Sequence, residues 1–349
     1  MSLWKKAHEM NGNQCDFITF YKNPKQHDAG ICLNLPMIST NPLYMKIRHQ
    51  YYKIFRGHYG DYKEKEGFPP VWSPHSALEK SYFAFRDWVW GNYIDPAIDK
   101  YKLFDYDIYH FEWGLDFYRD SRFAKQLSNA GKPIICTYHG QDMRTRGVIK
   151  EMDEISDLNL TSELDLLSKH PNINYLFLPY DTNACTQKKN TISSPLRVCH
   201  SPTNRFYKGS DDIIEICSDL DKDGLIEFVL IEGKIHEEVI KIKKSCDIYI
   251  DQIHNRGGWG YGMSSIESLS IGLVCLTELV IEYQNFIPDH PFINVTKQNL
   301  KEKILELIKN EELLVNKKNE SREWVVKYHD ISNVSQSLYS YYEMNSWVK

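Results

Sequence analysis

The chain has 349 residues, 42% of them hydrophobic and 26% charged, with a formal net charge of −5. That length suits two domains, each large enough to bury its own core, and the acidic balance argues against nucleic acid as the main partner. The longest apolar runs are strand-sized, so no membrane span is predicted, and the opening MSLWKKAHEMNG lacks the apolar centre of a signal peptide. Eight cysteines without a C-x-x-C pair read as reduced thiols of a cytoplasmic protein.

Short apolar runs alternate with helical patterns, which predicts parallel sheets built from βα units. In chain order the expected strands of the first half are CDFITFY (15–21), YDIYHFEW (106–113), PIICTYHG (133–140) and NYLFLPY (174–180), with helices near 76–94, 116–130 and 160–169. The polar stretch DTNACTQKKNTISSP at 181–195 then reads as a linker. After it come LRVCHSP (196–202), EFVLIEG (227–233), CDIYIDQI (246–253), VCLTEL (274–279) and FINV (292–295), and from 297 onward the pattern is helical. Two doubly wound α/β domains are the expectation, with boundaries at 1–181, 182–195 for the linker, and 196–325. The D-x-D at Asp105 and Asp107 opens a strand and is read as a turn.

In such sheets ligands bind beyond the carboxyl ends of the strands. Three candidate groups fall there: His139 and Asp142; Thr203, Asn204, Arg205 and Lys208; and the loop GGWGYGMSSIESLSIG at 257–272, which runs into a helix carrying Glu267. Arginine offers a planar fork and lysine a mobile point charge, a pair suited to a diphosphate. The glycine loop followed by a helix aims backbone N–H groups at a phosphate, and Glu267 leans toward that helix start. Ser264 and Glu267 also have the S-x-x-E spacing of a capping box, in which the glutamate would satisfy a backbone donor and bind no ligand. In the segment 44–65, six basic and six aromatic residues stand against Asp61 and Glu64, and Tyr44, Ile47, Tyr51 and Phe55 fall at helical spacing. This is an amphipathic helix with a solvated basic face, or a peripheral contact with anionic membrane.

Taken together, DIYHFEWG (107–114), KPIICTYHGQDMR (132–144), RVCHSPTNRFYKGSD (197–211), CDIYIDQ (246–252), GYGMSSIESLSIG (260–272) and the tail SREWVVKYHDISNVSQSLYSYY (321–342) resemble the retaining GT-B glycosyltransferases that use nucleotide-sugar donors. The resemblance implies a C-terminal domain that holds the donor, an N-terminal domain that holds the acceptor, and a last helix, here 326–349, that crosses back onto the N-terminal domain. It implies Arg205 and Lys208 as donor-diphosphate contacts and Glu267 as the acid on the ribose. The backbone at Gly262, Met263 and Ser264 would cradle the phosphates, beside Thr203 and Asn204, and His139 would face the donor sugar. Glu112 and Trp113 are acceptor-side candidates. The implied reaction moves a sugar from a UDP- or GDP-linked donor to a glycan or lipid-linked acceptor of surface polysaccharide or glycolipid synthesis, at or near the inner face of the membrane, with no metal and no further cofactor.

The chain departs from the family pattern in four places. Trp259 stands where a first glutamate is usual, eight positions before Glu267. Arg205 lies three rather than five residues before Lys208, and Thr203 holds the usual arginine position. The segment after EFVLIEG is short, leaving the base pocket near Lys234 to Glu237 unassigned. The sequence opens on a helix, so the first strand and its glycine loop are not seen, which would leave a central sheet position unfilled. Two other functions fit parts of this pattern: a non-catalytic glycan- or nucleotide-binding partner subunit, and a nucleotide-sugar epimerase. The second would want acid/base carboxylates around the sugar, where Trp259 offers none.

Overall fold

The computed structural model describes residues 2–22, 28–37, 43, 46, 47, 50, 64–140, 142–184, 191–256 and 260–348. Tyr44, Tyr51, Phe55, most of the rest of 44–65, and the loop residues Gly257, Gly258 and Trp259 lie outside them. The chain divides into two compact units, one of Met1–Leu176 with Leu338–Lys349, the other of Phe177–Ser337. No helix among the described residues is long and apolar enough to cross a membrane.

Among its described residues the first unit holds six short strands. β1 (Ile18–Thr19) pairs in parallel with β2 (Ile31–Cys32) as a sheet of its own, and β3 (Tyr109–Glu112), β4 (Ile134–Tyr138), β5 (Leu158–Thr161) and β6 (Ile173–Tyr175) form a second parallel sheet in that spatial order. Among the described residues β1 and β2 thus stand apart from the four-stranded sheet. A cavity of about 1770 Å³ is lined both by Phe17–Phe20 and by Tyr109–Glu112. The helix Ser2–Met10 also lines it, and Tyr339 and Tyr342 of the returning C-terminal segment pack on its His8.

β5 corrects the helix expected near 160–169. All four of its residues are buried, the polar Asn159 and Thr161 as well as Leu158 and Leu160, as in a parallel strand covered on both faces. Beyond it the chain forms one short 3₁₀ segment, Leu164–Ser168.

The second unit follows the apolar runs closely. β7 (Leu196–His200), β8 (Ile226–Leu230), β9 (Ile248–Ile250), β10 (Val274–Thr277) and β11 (Ile293–Asn294) form one parallel sheet in the order β11-β10-β9-β7-β8. Val198, Ile248, Ile250, Val274 and Leu276 are wholly buried and pack with Ile213, Cys217, Leu220, Ile304 and Leu307 of the covering helices. The chain winds from β7 outward to β8, then returns to lay β9 on the other side of β7 and continues to β10 and β11. That reversal places the topological switch point between β7 and β9, and a crevice opens at the carboxyl ends of strands where the winding direction changes.

Candidate functional site

Both strands at the switch point lead straight into candidate residues. Beyond β7, Asn204 caps the short helix Arg205–Lys208, its side chain accepting from the N–H groups of Phe206 (3.0 Å) and Tyr207 (3.3 Å). Gly209 then turns the chain at φ +64, into the helix Ser210–Lys222. A Cβ there would sit 2.3 Å from the Ile253 carbonyl oxygen, so this turn against the end of β9 admits only glycine. Thr203 is exposed at the start of the turn.

Lys208 and Arg205 have different surroundings. The Lys208 Nζ donates to Asp251 Oδ1 at 2.6 Å and to Gln252 Oε1 at 3.2 Å, both at the end of β9. Asp251 is fully buried; burial alone would raise its pKa, and the Lys208 charge and hydrogen bond, the Ser265 hydrogen bond and the Lys243 charge together bring it below the ordinary carboxylate value. Arg205 is half-exposed and makes a bidentate pair with Glu232, at 2.8 and 2.6 Å, just past β8.

Beyond β9 the helix Met263–Ile271 starts at Gly262, whose carbonyl accepts from Ser265 and Ile266. The N–H groups of Gly262, Met263 and Ser264 therefore have no acceptor within the helix. The capping-box reading of Ser264 and Glu267 is overturned, because Gly262 occupies the cap position and makes no side-chain cap bond. The Ser264 hydroxyl instead meets Tyr249 (2.8 Å), Lys243 (2.8 Å) and Ser201 (3.3 Å). Glu267 pairs through Oε1 with His236 Nε2 at 2.7 Å and through Oε2 with Lys243 Nζ at 3.2 Å. Burial pushes the Glu267 pKa up, but the His236 hydrogen bond and the Lys243 charge more than compensate, and the net shift is downward.

Lys208 and Glu267 are thus the two ends of one polar network. It runs from Lys208 to Asp251, from Asp251 to Tyr249 (3.2 Å) and Ser265 (2.8 Å), from Tyr249 to Ser264, and from Ser264 through Lys243 to Glu267 and His236. Five members were not singled out from the sequence: Tyr249, Ser265, Lys243, Asp251 and His236. Lys243 belongs to a lysine-rich helix end that reads as solvated, yet it is fully buried and its Nζ lies 4.5 Å from the Tyr249 ring centre. Asp251 carried a usable signal, a carboxylate ending an apolar strand. His236 carried none.

In the first unit the candidates gather at the carboxyl ends of β3 and β4. Glu112 Oε2 lies 2.9 Å from His139 Nε2. Burial disfavours both charges, yet the pair wins: the His139 pKa is raised and the Glu112 pKa lowered. His110, two residues before Glu112 on the same strand and 2.5 Å from the Thr137 hydroxyl, is pushed down to about 4 by burial. Asp142 accepts from the His139 and Met143 N–H groups and so fixes the turn that presents His139. Trp113 is exposed, adopts φ 63, and its carbonyl accepts from Arg146. Gly114 follows at φ 54, where a Cβ would lie 2.6 Å from the Tyr138 ring, so Trp113 is thrust outward by a turn that Tyr138 enforces. Asp105 lies in a turn and the Asp107 side chain is almost wholly exposed, 3.8 Å from Lys132.

No family model and no curated relative matches the chain. Solved structures do. Sucrose-phosphate synthase from Thermosynechococcus elongatus superposes with a TM-score of 0.55 at 12% identity, over 81% of this chain and 87% of that one. Anabaena HepE in complex with UDP and glucose gives 0.53 at 11% identity, over 73% of this chain and 82% of that one. At such identity the likeness speaks to architecture, and the architecture is that of the GT-B glycosyltransferases: the chain has an α/β fold of the GT-B class, built from two parallel-sheet units.

Proposed function

We propose that the chain is a retaining glycosyltransferase that moves a sugar from a nucleotide-sugar donor to a glycan or lipid-linked acceptor in surface polysaccharide or glycolipid synthesis. The observation that carries this reading is the network joining Lys208 to Glu267 at the strand switch of the second unit. A nucleoside diphosphate offers a negatively charged group and ribose hydroxyls a few ångströms apart. The network offers a cation and a carboxylate linked through buried side chains, with the helix-start N–H groups of Gly262, Met263 and Ser264 between them in sequence.

In this reading the diphosphate rests on those N–H groups and on Lys208, whose charge matters most as the leaving group departs. Arg205 joins once the diphosphate displaces Glu232 from its guanidinium. Glu267 accepts hydrogen bonds from the ribose hydroxyls, and Thr203 and Asn204 shape the turn beside the phosphates. His139, held by Glu112 and by the Asp142 turn, faces the donor sugar, and Glu112 and Trp113 meet the acceptor. The cations supply the charge that the departing diphosphate needs, so the reaction is proposed to run without a metal. UDP is the first nucleotide to test and GDP the second. The site of action is proposed to be the cytoplasm, with a peripheral membrane contact through 44–65.

Incubating the protein with a panel of UDP- and GDP-sugars tests the assignment. One of them should be slowly hydrolysed and should raise the melting temperature. Glu267→Ala should weaken nucleotide binding by about 1.5–3 kcal/mol, the worth of a hydrogen bond to a charged group. Absence of any response across the panel would contradict the proposal.

A further inference from the structure

The two oxygens of Glu267 face different surroundings. Oε2 points to Lys243, which is fully buried and also donates to the Ser264 carbonyl at 3.0 Å and hydroxyl at 2.8 Å. Oε1 points to His236, whose side chain is 50% exposed. Both arms come from one helix, His236–Lys243. They stand seven residues apart, which is two turns, so they lie on the same helix face. One face of this helix therefore clasps the carboxylate from both sides, the inner arm shut away from water and the outer arm standing at its edge.

This arrangement determines how a hydroxyl reaches Glu267. The inner oxygen is enclosed with Lys243, so a ligand hydroxyl arriving from solvent meets Oε1 beside the imidazole. We propose that His236 is a positioning and selectivity residue for the ribose: it holds the carboxylate in the plane in which Oε1 accepts from a ribose hydroxyl, and so makes the site distinguish ribose from deoxyribose. The inference rests on the donor-site reading above. Lys243 fixes the depth of the carboxylate and His236 fixes its rotation. A carboxylate held at one oxygen alone swings about its final bond and accepts from water as readily as from a ligand. Held at both, it loses little freedom on binding, and the hydroxyl that it accepts from is worth correspondingly more.

The test compares UDP with 2′-deoxy-UDP by isothermal titration calorimetry, on the wild-type chain and on His236→Ala and His236→Gln. The wild type should bind UDP about tenfold or more tighter than the deoxy analogue, the usual worth of a hydrogen bond to a charged group. In His236→Ala that ratio should fall to about threefold or less, through weaker UDP binding, with the melting temperature nearly unchanged because the ring is half in water. In His236→Gln, whose amide can still donate to Oε1, most of the ratio should return. An unchanged ratio in His236→Ala, or a fall in melting temperature with the ratio kept, would overturn the proposal. Wild-type protein that binds neither nucleotide would overturn the donor-site reading itself and this inference with it.

Discussion

The carboxyl ends of the two parallel sheets are built in different ways. In the second unit, charges of alternating sign run from Lys208 through Asp251 and Lys243 to Glu267, with hydroxyls between them, and both Asp251 and Lys243 are fully buried. In the first unit the carboxyl ends of β3 and β4 carry a partly exposed pair, Glu112 and His139, and Glu112 lies on the wall of a large cavity. Buried charges held at several points have already lost their water and their freedom on folding, so they present a fixed electrostatic surface to whatever binds. A partly exposed pair at the edge of open space can break and re-form at smaller cost. In the proposed reading, the second unit grips one constant chemical group and the first adjusts.

Breaking the buried end of the network should have the largest effect. Lys243→Met leaves Glu267 without its inner partner, and removing one member of a buried ion pair typically costs about 3–5 kcal/mol. Thermal or denaturant unfolding should show that loss. A variant as stable as the wild type would mean that the network is not what holds the helix start in place. Lys208→Ala should come next: kcat with a saturating donor should fall on the order of 100-fold, with a smaller change in donor KM, because its charge is needed most as the diphosphate leaves. A loss confined to KM would make Lys208 a ground-state contact only.

The smallest effect sharpens the contrast from the other side. His139 has a raised pKa, so its share of stability is present below its ordinary value near 6.5 and is lost as pH rises through the folded value. Glu112 has a lowered pKa, so its share is present above the ordinary glutamate value and is lost as pH falls through the folded value. The pair is therefore intact between those two limits. In Glu112→Gln the burial of His139 is opposed only by the weaker pull of Asp142 and Glu163, and its pKa should drop below that of the wild type when followed by NMR of the ring proton. A pKa that stays raised would assign the shift to Asp142 and Glu163 instead.

The sequence made the second unit far more legible than the first. Its five described strands are compact apolar runs, each followed by a helix, and the glycine loop after the third points to the candidate site. Hidden from it were residues whose type argues against their environment. Lys243 sits in KIKKSC, where neighbouring lysines are solvated, and only the tertiary position of its helix decides that this one is buried. His236 enters because its helix packs beside Met263–Ile271, a contact between segments that no local pattern encodes. In the first unit, β5 was hidden by its length: Leu158 to Thr161 alternate apolar and polar over four residues only, too short a run to fix its period. The division of β1 and β2 from the main sheet is likewise a matter of pairing, which strand propensity leaves open.

The most direct test of the central claim is a crystal structure of the protein soaked with UDP. Ribose hydroxyls are expected within hydrogen-bonding distance of Glu267, and the diphosphate against the N–H groups of Gly262, Met263 and Ser264 with the Lys208 ammonium alongside. A nucleotide bound elsewhere, with Lys208 still on Asp251 and Glu267 still on His236 and no phosphate near either, would contradict the claim.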